Sequence, residues 1–221
     1  MRGYFAASDE IAFRMTARGI PNDSVHVTGI PIMPIFSRRF DRAECASELG
    51  IAPDKLTVLL MTGGTGLGGG GLMVERLLAL PGDFQLVALA GKNQELLARY
   101  RSLAAAHPRR LFALGFTSTI ERVMASADLA VTKPGGLTVS ECLAVGLPRV
   151  LISPIPGQEE RNADYLMEQG VAVKAPDGLA LEFKIGQLLK EPDRLKHMRE
   201  KMRGLGRPDA ARAVLNRVLG E

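Results

Sequence analysis

Short apolar runs alternate along this chain with longer stretches in which apolar residues recur at helical spacing. The runs predict strands at 25–29, 57–61, 85–90, 111–114, 129–132, 149–152 and 171–174. Two of them, within LTVLLM and FQLVALA, show almost no polar alternation, the pattern of strands covered by helices on both faces. The helical spacing predicts helices at 8–18, 72–80, 94–106, 119–125, 138–145, 159–169 and 179–190, and two basic helices at 193–203 and 209–219 close the chain. Such alternation builds βαβ units. The expected fold is therefore α/β: a Rossmann-like parallel sheet with helices on both faces.

The start of the chain breaks this rhythm. Gly29-Ile30-Pro31-Ile32-Met33-Pro34 spaces its prolines as an extended connector does, rather than as a packed element. The expected division is residues 1–40, the tail of a preceding unit with its connector, and 41–221, the main domain.

At 221 residues and 46% hydrophobic content, the chain can fill one well-cored domain. No apolar run reaches the roughly 18 residues that cross a bilayer, and the N-terminus lacks the apolar stretch of a secretion signal. Cys45 and Cys142 stand far apart without ligand spacing, which argues against a disulfide framework or a zinc site and for a reducing cytoplasm. A net charge of +4 fits nucleic acid, an acidic membrane surface or a phosphorylated small molecule, and fits a solvated basic surface equally well. Aromatics make up only 5% and tryptophan is absent, so base-stacking platforms are missing and nucleic acid is set aside.

Candidate chemistry gathers where strands are expected to end. The glycine run at 61–71, which includes Gly64, Thr65 and Gly66, follows a strand and precedes a helix. Glycine there allows a tight turn and close approach of a ligand to helix amides, though a plain turn needs glycines too. No Lys-Ser/Thr follows, so it is not a P-loop. The second corner is Lys133-Pro134-Gly135-Gly136-Leu137-Thr138-Val139-Ser140-Glu141, where a helix N-terminus beyond a strand end suits a diphosphate. Glu141 can accept hydrogen bonds from a ribose diol, or Thr138-x-x-Glu141 can be a capping box. The third, at 154–162, offers Gln158, Glu159 and Asn162 to sugar hydroxyls; acids in a first helical turn also simply compensate the macrodipole. Phe116, after the strand at 111–114, fits either a base-reading loop or the core. Several such loops on one sheet edge argue more strongly than any one of them.

With these residues in view, the chain resembles the C-terminal domain of the diacylglycerol glycosyltransferases: the plant-type monogalactosyldiacylglycerol synthases and the bacterial processive diacylglycerol glucosyltransferases. Those enzymes are similar in turn to the peptidoglycan N-acetylglucosaminyltransferase that makes lipid II. The segment KPGGLTVSECLAVGLPRVLISPIPGQEERNADYL at 133–166 carries most of the likeness, and VTGIPIMPIF at 27–36 resembles that family's interdomain segment.

The resemblance implies one half of a GT-B glycosyltransferase, in which the active site lies between two Rossmann-like domains and this half holds the UDP-sugar. By position, Gly135, Gly136 and Thr138 would contact the diphosphate, Glu141 the ribose, and Phe116 the uracil through its backbone. Gln158, Glu159 and Asn162 would hold sugar hydroxyls, with Gly64, Thr65 and Gly66 near the phosphates. Transfer would be inverting, with no cofactor and no metal, to a lipid acceptor at the inner face of the cell membrane, which the basic residues would contact. The family's other half supplies the acceptor pocket and, on a glycine-rich loop, a His. Here His26, His107 and His197 follow no such loop. The catalytic base is therefore expected outside this chain, which alone would bind donor but transfer poorly. Transfer of N-acetylglucosamine to a polyprenyl-linked precursor, and a non-catalytic subunit working with a separate acceptor subunit, are the alternatives. A plain NAD-binding domain is disfavoured because no acidic residue ends a strand about twenty positions after the glycines.

Overall fold

The computed structural model describes residues 3–61 and 70–220. Its centre is a six-stranded sheet of β3 (Leu56–Met61), β4 (Phe84–Leu89), β5 (Leu111–Leu114), β6 (Leu129–Thr132), β7 (Arg149–Ile152) and β8 (Ala172–Ala175). The order across the sheet is β5-β4-β3-β6-β7-β8, and every pairing is parallel. The chain thus winds outward from β3 through β4 and β5, then returns to the other side of β3 to add β6, β7 and β8. That reversal between β3 and β6 opens a crevice at the strands' C-terminal ends, where doubly wound proteins bind ligands.

The strands are apolar on both faces because helices cover both. Along β3, Val58 and Leu60 point to one face and Leu59 and Met61 to the other, all almost fully buried. Burying each leucine contributes about 2 kcal/mol. The Val58 face packs against α3 (Gly70–Leu78), α4 (Gln94–Ala106) and α8 (Gly178–Lys190). The Leu59 face packs against α2 (Arg42–Glu48), α5 (Ile120–Ser126) and α6 (Gly136–Val145). Further along that face α7 (Gln158–Glu168) packs on Leu151 through Ala163 and Leu166, and α9 (Pro192–Met202) adds Met202. The helix α10 (Ala210–Leu219) ends the described chain.

Ahead of this sheet, β1 (Tyr4–Ala6) and β2 (Val25–Val27) pair in parallel, with α1 (Asp9–Thr16) between them. Two short elements here escape the sequence pattern. β1 is three residues long, and α2 is a charged seven-residue helix that Asp41 caps by accepting from the Glu44 N–H at 2.9 Å. The connector is also more ordered than its prolines imply. Residues Pro34–Ser37 form a 3-10 turn, and Ile32 and Phe36 insert into the core beside Leu59. Proline restricts the backbone there, but the apolar side chains between the prolines have a hydrophobic face to bury against, and burial decides.

Cys45 and Cys142 are both buried free thiols. Among the described residues no helix is long and apolar enough to cross a membrane.

Candidate functional site

All six strands of the main sheet run the same way, so the loops after Leu89, Leu114, Thr132 and Ile152 emerge along one edge. The loop after Met61, with Gly64, Thr65 and Gly66, lies outside the described residues. Between the ends of β3, β4 and β6 lies a cleft of about 510 Å³. Gly135, Thr138, Glu141 and Glu159 line one wall, and Gly91, Lys92 and Asn93 another. Leu89, Ile120 and Met124 give it an apolar floor.

The helices at this edge begin in different ways. The first N–H groups of a helix need partners. At α4 the Asn93 side chain accepts from the Leu96 N–H at 2.9 Å, and at α8 Asp177 accepts from Ala180 at 2.8 Å. α6 instead starts at Gly135, which has no side chain to cap with, and no side chain among the described residues caps it; α5, after Thr119, and α7, after Gly157, also begin without a side-chain cap. Gly135 and Thr138 line the cleft, which places the N-terminus of α6 and the positive end of its dipole at the cleft wall.

The helix begins at Gly136, two residues earlier than its apolar spacing predicts. Thr138 therefore sits inside the first turn rather than at the N-cap, and the capping-box reading of Thr138 and Glu141 falls. Glu141 belongs to the second turn, not the first. Three residues beyond Thr138, it shares that residue's helix face and looks into the same cleft. It is half-buried and has no hydrogen bond or ion pair among the described residues, and burial raises its pKa above the ordinary glutamate value.

The loop from β7 to α7 packs against this corner from the side. Asn162 Nδ2 donates to the Pro134 carbonyl at 2.9 Å, pinning the turn before Gly135. Asn162 is thus a brace here, and it borders a cavity on the far side of α6 rather than the cleft. Glu159 does face the cleft: its Oε1 is 3.6 Å from where a Cβ at Gly135 would lie, while its Oε2 accepts from the Ile155 N–H at 2.8 Å. Gln158, exposed at the start of α7, has Nε2 3.8 Å from a Cβ built on Gly136. Ser153 makes the sharp exit from β7 with φ of 42°, a left-handed conformation uncommon outside glycine, and its buried hydroxyl lacks a partner among the described residues.

Phe116 is 67% exposed, which excludes the core reading, and Lys92 Nζ lies 5.3 Å from its ring centroid. Lys92 and its loop were not anticipated. The signal was present: Ala90-Gly91-Lys92-Asn93 follows an uninterrupted apolar strand and precedes a helix, as the other candidate loops do.

Topology and cleft together define a doubly wound α/β domain with a crevice at its strand ends. The profile of the glycosyltransferase family 28 C-terminal domain matches residues 72–214, and the chain belongs to that family. It is 29% identical over 216 residues to the processive diacylglycerol beta-glucosyltransferase of Bacillus pumilus, covering 98% of this chain and 56% of that protein. To the Staphylococcus saprophyticus enzyme of the same name it is 35% identical over 202 residues, covering 90% and 51%. The chain thus spans about half the length of these curated relatives. Among solved structures, the UDP-GlcNAc 2-epimerase of Neisseria meningitidis bound to UDP-GlcNAc superposes with a TM-score of 0.75 at 15% identity, covering all of this chain and 61% of that one. Acinetobacter baumannii MurG gives 0.65 at 21% identity, covering 100% and 65%. These likenesses establish the fold, one half of the GT-B architecture.

Proposed function

We propose that this chain is the donor-binding half of a glycosyltransferase that passes a hexose from a UDP-sugar to diacylglycerol, with inversion at the anomeric carbon. The observation that carries the reading is the uncapped N-terminus of α6 sharing one cleft with Glu141, a half-buried carboxylate with no partner among the described residues. An anion and a diol a few ångströms apart are what those two groups recognise, and a nucleoside diphosphate presents both. The names of the curated relatives supply the UDP-independent part of the reading, diacylglycerol as acceptor and glucose as one candidate hexose.

In this reading the diphosphate rests on the amides of residues 136–138, and Glu141 accepts from the ribose hydroxyls. The backbone around Phe116 reads uracil, and Gln158 and Glu159 hold the hexose. As the glycosidic bond to UDP breaks, negative charge grows on the diphosphate, and preoriented amides in a sheltered cleft stabilise that charge without a metal. The acceptor pocket and the base belong to a second half, of which residues 1–40 are the end and the connector. Positioned general-base help alone contributes about 10²- to 10⁴-fold in rate, so this chain by itself binds donor and transfers slowly. Enzyme and lipid would meet at the cytoplasmic membrane face. Because the chain spans about half of its relatives, a second reading stands beside this one: a binding subunit that acts only with a separate acceptor subunit. Transfer of N-acetylglucosamine to a polyprenyl-linked precursor is the alternative within the same chemistry.

Calorimetric titration of the folded chain with UDP tests the reading. We expect saturable binding, and Glu141→Ala to weaken it about 10-fold or more, the loss of charge-assisted hydrogen bonds worth roughly 1.5–3 kcal/mol. Folded protein that ignores UDP would overturn it. A pH series adds a sign. Burial raises the Glu141 pKa, so the folded chain holds this proton more tightly than the unfolded chain. Its contribution to stability is full at low pH and is lost as pH rises from the unfolded to the higher folded value. Ribose recognition runs the other way, since only the carboxylate accepts from both hydroxyls. UDP affinity should therefore climb more steeply between acid and neutral pH in the natural chain than in Glu141→Gln.

A further inference from the structure

Arg149 opens β7, and its side chain is fully buried. It shares the sheet face of Leu151, beneath α6, α7 and α9. Its neighbours across the sheet are Ala130 and Ala172, whose small side chains leave room for a guanidinium. Nη1 donates to the Val139 carbonyl of α6 at 2.9 Å, while Nε and Nη2 have no hydrogen-bond partner among the described residues. No carboxylate among those residues answers the charge. The titratable group beside it is the Cys142 thiol, which burial pushes up to about 11 and so keeps neutral. Burial draws the Arg149 pKa down, but arginine starts high enough to keep its proton at neutral pH.

A buried cation with two idle N–H groups weakens a fold, and an apolar side chain of similar size in its place is often neutral or stabilising. Packing therefore does not account for an arginine here. Its one hydrogen bond leads to the start of α6. The Val139 carbonyl shares a peptide unit with the Ser140 N–H, which in an α-helix donates to the Gly136 carbonyl four residues back. Ser140 Oγ donates to that same carbonyl at 3.0 Å. The Gly136 carbonyl in turn shares a peptide unit with the Leu137 N–H, one of the first amides of the helix. Hydrogen bonds linked in such a chain polarise one another.

From these contacts we infer that Arg149 is a positioning residue for the diphosphate, lending its charge from within the core to the amides at the N-terminus of α6. The inference rests on the donor-binding reading and deepens it. Three residues of helix rise about 4.5 Å and the guanidinium lies one hydrogen bond further on, so a phosphate held by the first turn is roughly 10 Å away. Two unit charges at that separation, at an effective dielectric of about 20, change a binding constant about 15-fold.

Two substitutions test this. Arg149→Met removes the charge and the hydrogen bond at similar volume, whereas Arg149→Gln removes the charge but still has an N–H to give Val139. UDP is titrated by calorimetry and uridine by NMR against the natural chain and both variants, with thermal melting as the check on folding. We expect both variants to lose about 10- to 15-fold in UDP affinity and to hold uridine, which has no phosphate, within about 2-fold of the natural chain. Arg149→Met should melt no lower than the natural chain. Parallel loss of UDP and uridine would mean that α6 had merely loosened, and would overturn the inference. So would a loss in Arg149→Met that Arg149→Gln does not share, since the hydrogen bond rather than the charge would then be at work. If neither variant folds, the core needs the arginine and the inference fails. UDP bound equally by all three proteins would sink this inference alone, whereas a folded natural chain that ignores UDP would sink the donor reading and this one with it.

Discussion

Gly135→Asp is expected to cost UDP binding about 100-fold or more while leaving the chain as stable as before. The position tolerates the change sterically: Gly135 has φ of −65° and ψ of 140°, open to any residue, and a Cβ there meets only Glu159 Oε1, at an ordinary 3.6 Å. Aspartate is a preferred N-cap, gaining a few tenths of a kcal/mol over glycine, which offsets its repulsion with Glu159. The carboxylate would, however, accept from the amides that the diphosphate needs and set a negative charge beside it. Two charges about 4 Å apart near a protein surface interact by about 4 kcal/mol at an effective dielectric of 20. Calorimetry for UDP and thermal melting for stability separate the two effects. If the helix start were merely structural, the variant would bind UDP as well as the natural chain does.

The same corner shows what could be read from the sequence and what could not. The six main strands were legible because their apolar runs are continuous, and a continuous run is what a doubly covered strand requires; the structure places each within a residue or two of its expected position. The corner between β6 and α6 was legible as Lys133-Pro134-Gly135-Gly136. Its details were not. Apolar periodicity marks where a helix touches the core, and the glycines that begin α6 have no apolar side chains to mark it, so the predicted start fell at Thr138. The role of Asn162 was hidden for a different reason: its partner is the backbone of Pro134, 28 positions away, and a carbonyl has no sequence signature. β1 was lost because three residues are too few to show a period. Likewise Phe36 reads as part of a proline-rich connector until the core it enters has been built.

Asp128→Ala is expected to destabilise the fold by about 3 kcal/mol, toward the lower end of what breaking a buried ion pair costs, without touching the cleft. Asp128 lies just before β6, at the opposite edge of the sheet, with its side chain 14% exposed. Its carboxylate takes both Nη atoms of Arg42, the Nη2 at 2.7 Å, and accepts from the Thr57 N–H at 2.8 Å. Arg42 Nη2 also donates to the Lys55 carbonyl, so one acid ties α2 to the starts of β3 and β6. Removing it strands a partly buried guanidinium whose Nε already lacks a partner among the described residues, along with an orphaned strand amide. Asp128→Asn should cost less, because its amide oxygen can still accept from Thr57. In a double-mutant cycle, Arg42→Leu should recover part of the Asp128→Ala loss, since the nearer of the two stranded cations is then gone while Arg199, 3.9 Å from Asp128 in the natural chain, remains. Denaturant midpoints measure all four proteins, and UDP affinity should stay within about 2-fold throughout, since well-separated sites act nearly independently. If Asp128→Ala lowered UDP affinity at full folding, the two edges of the sheet would be coupled, and the fold could not be treated as a rigid platform for the site.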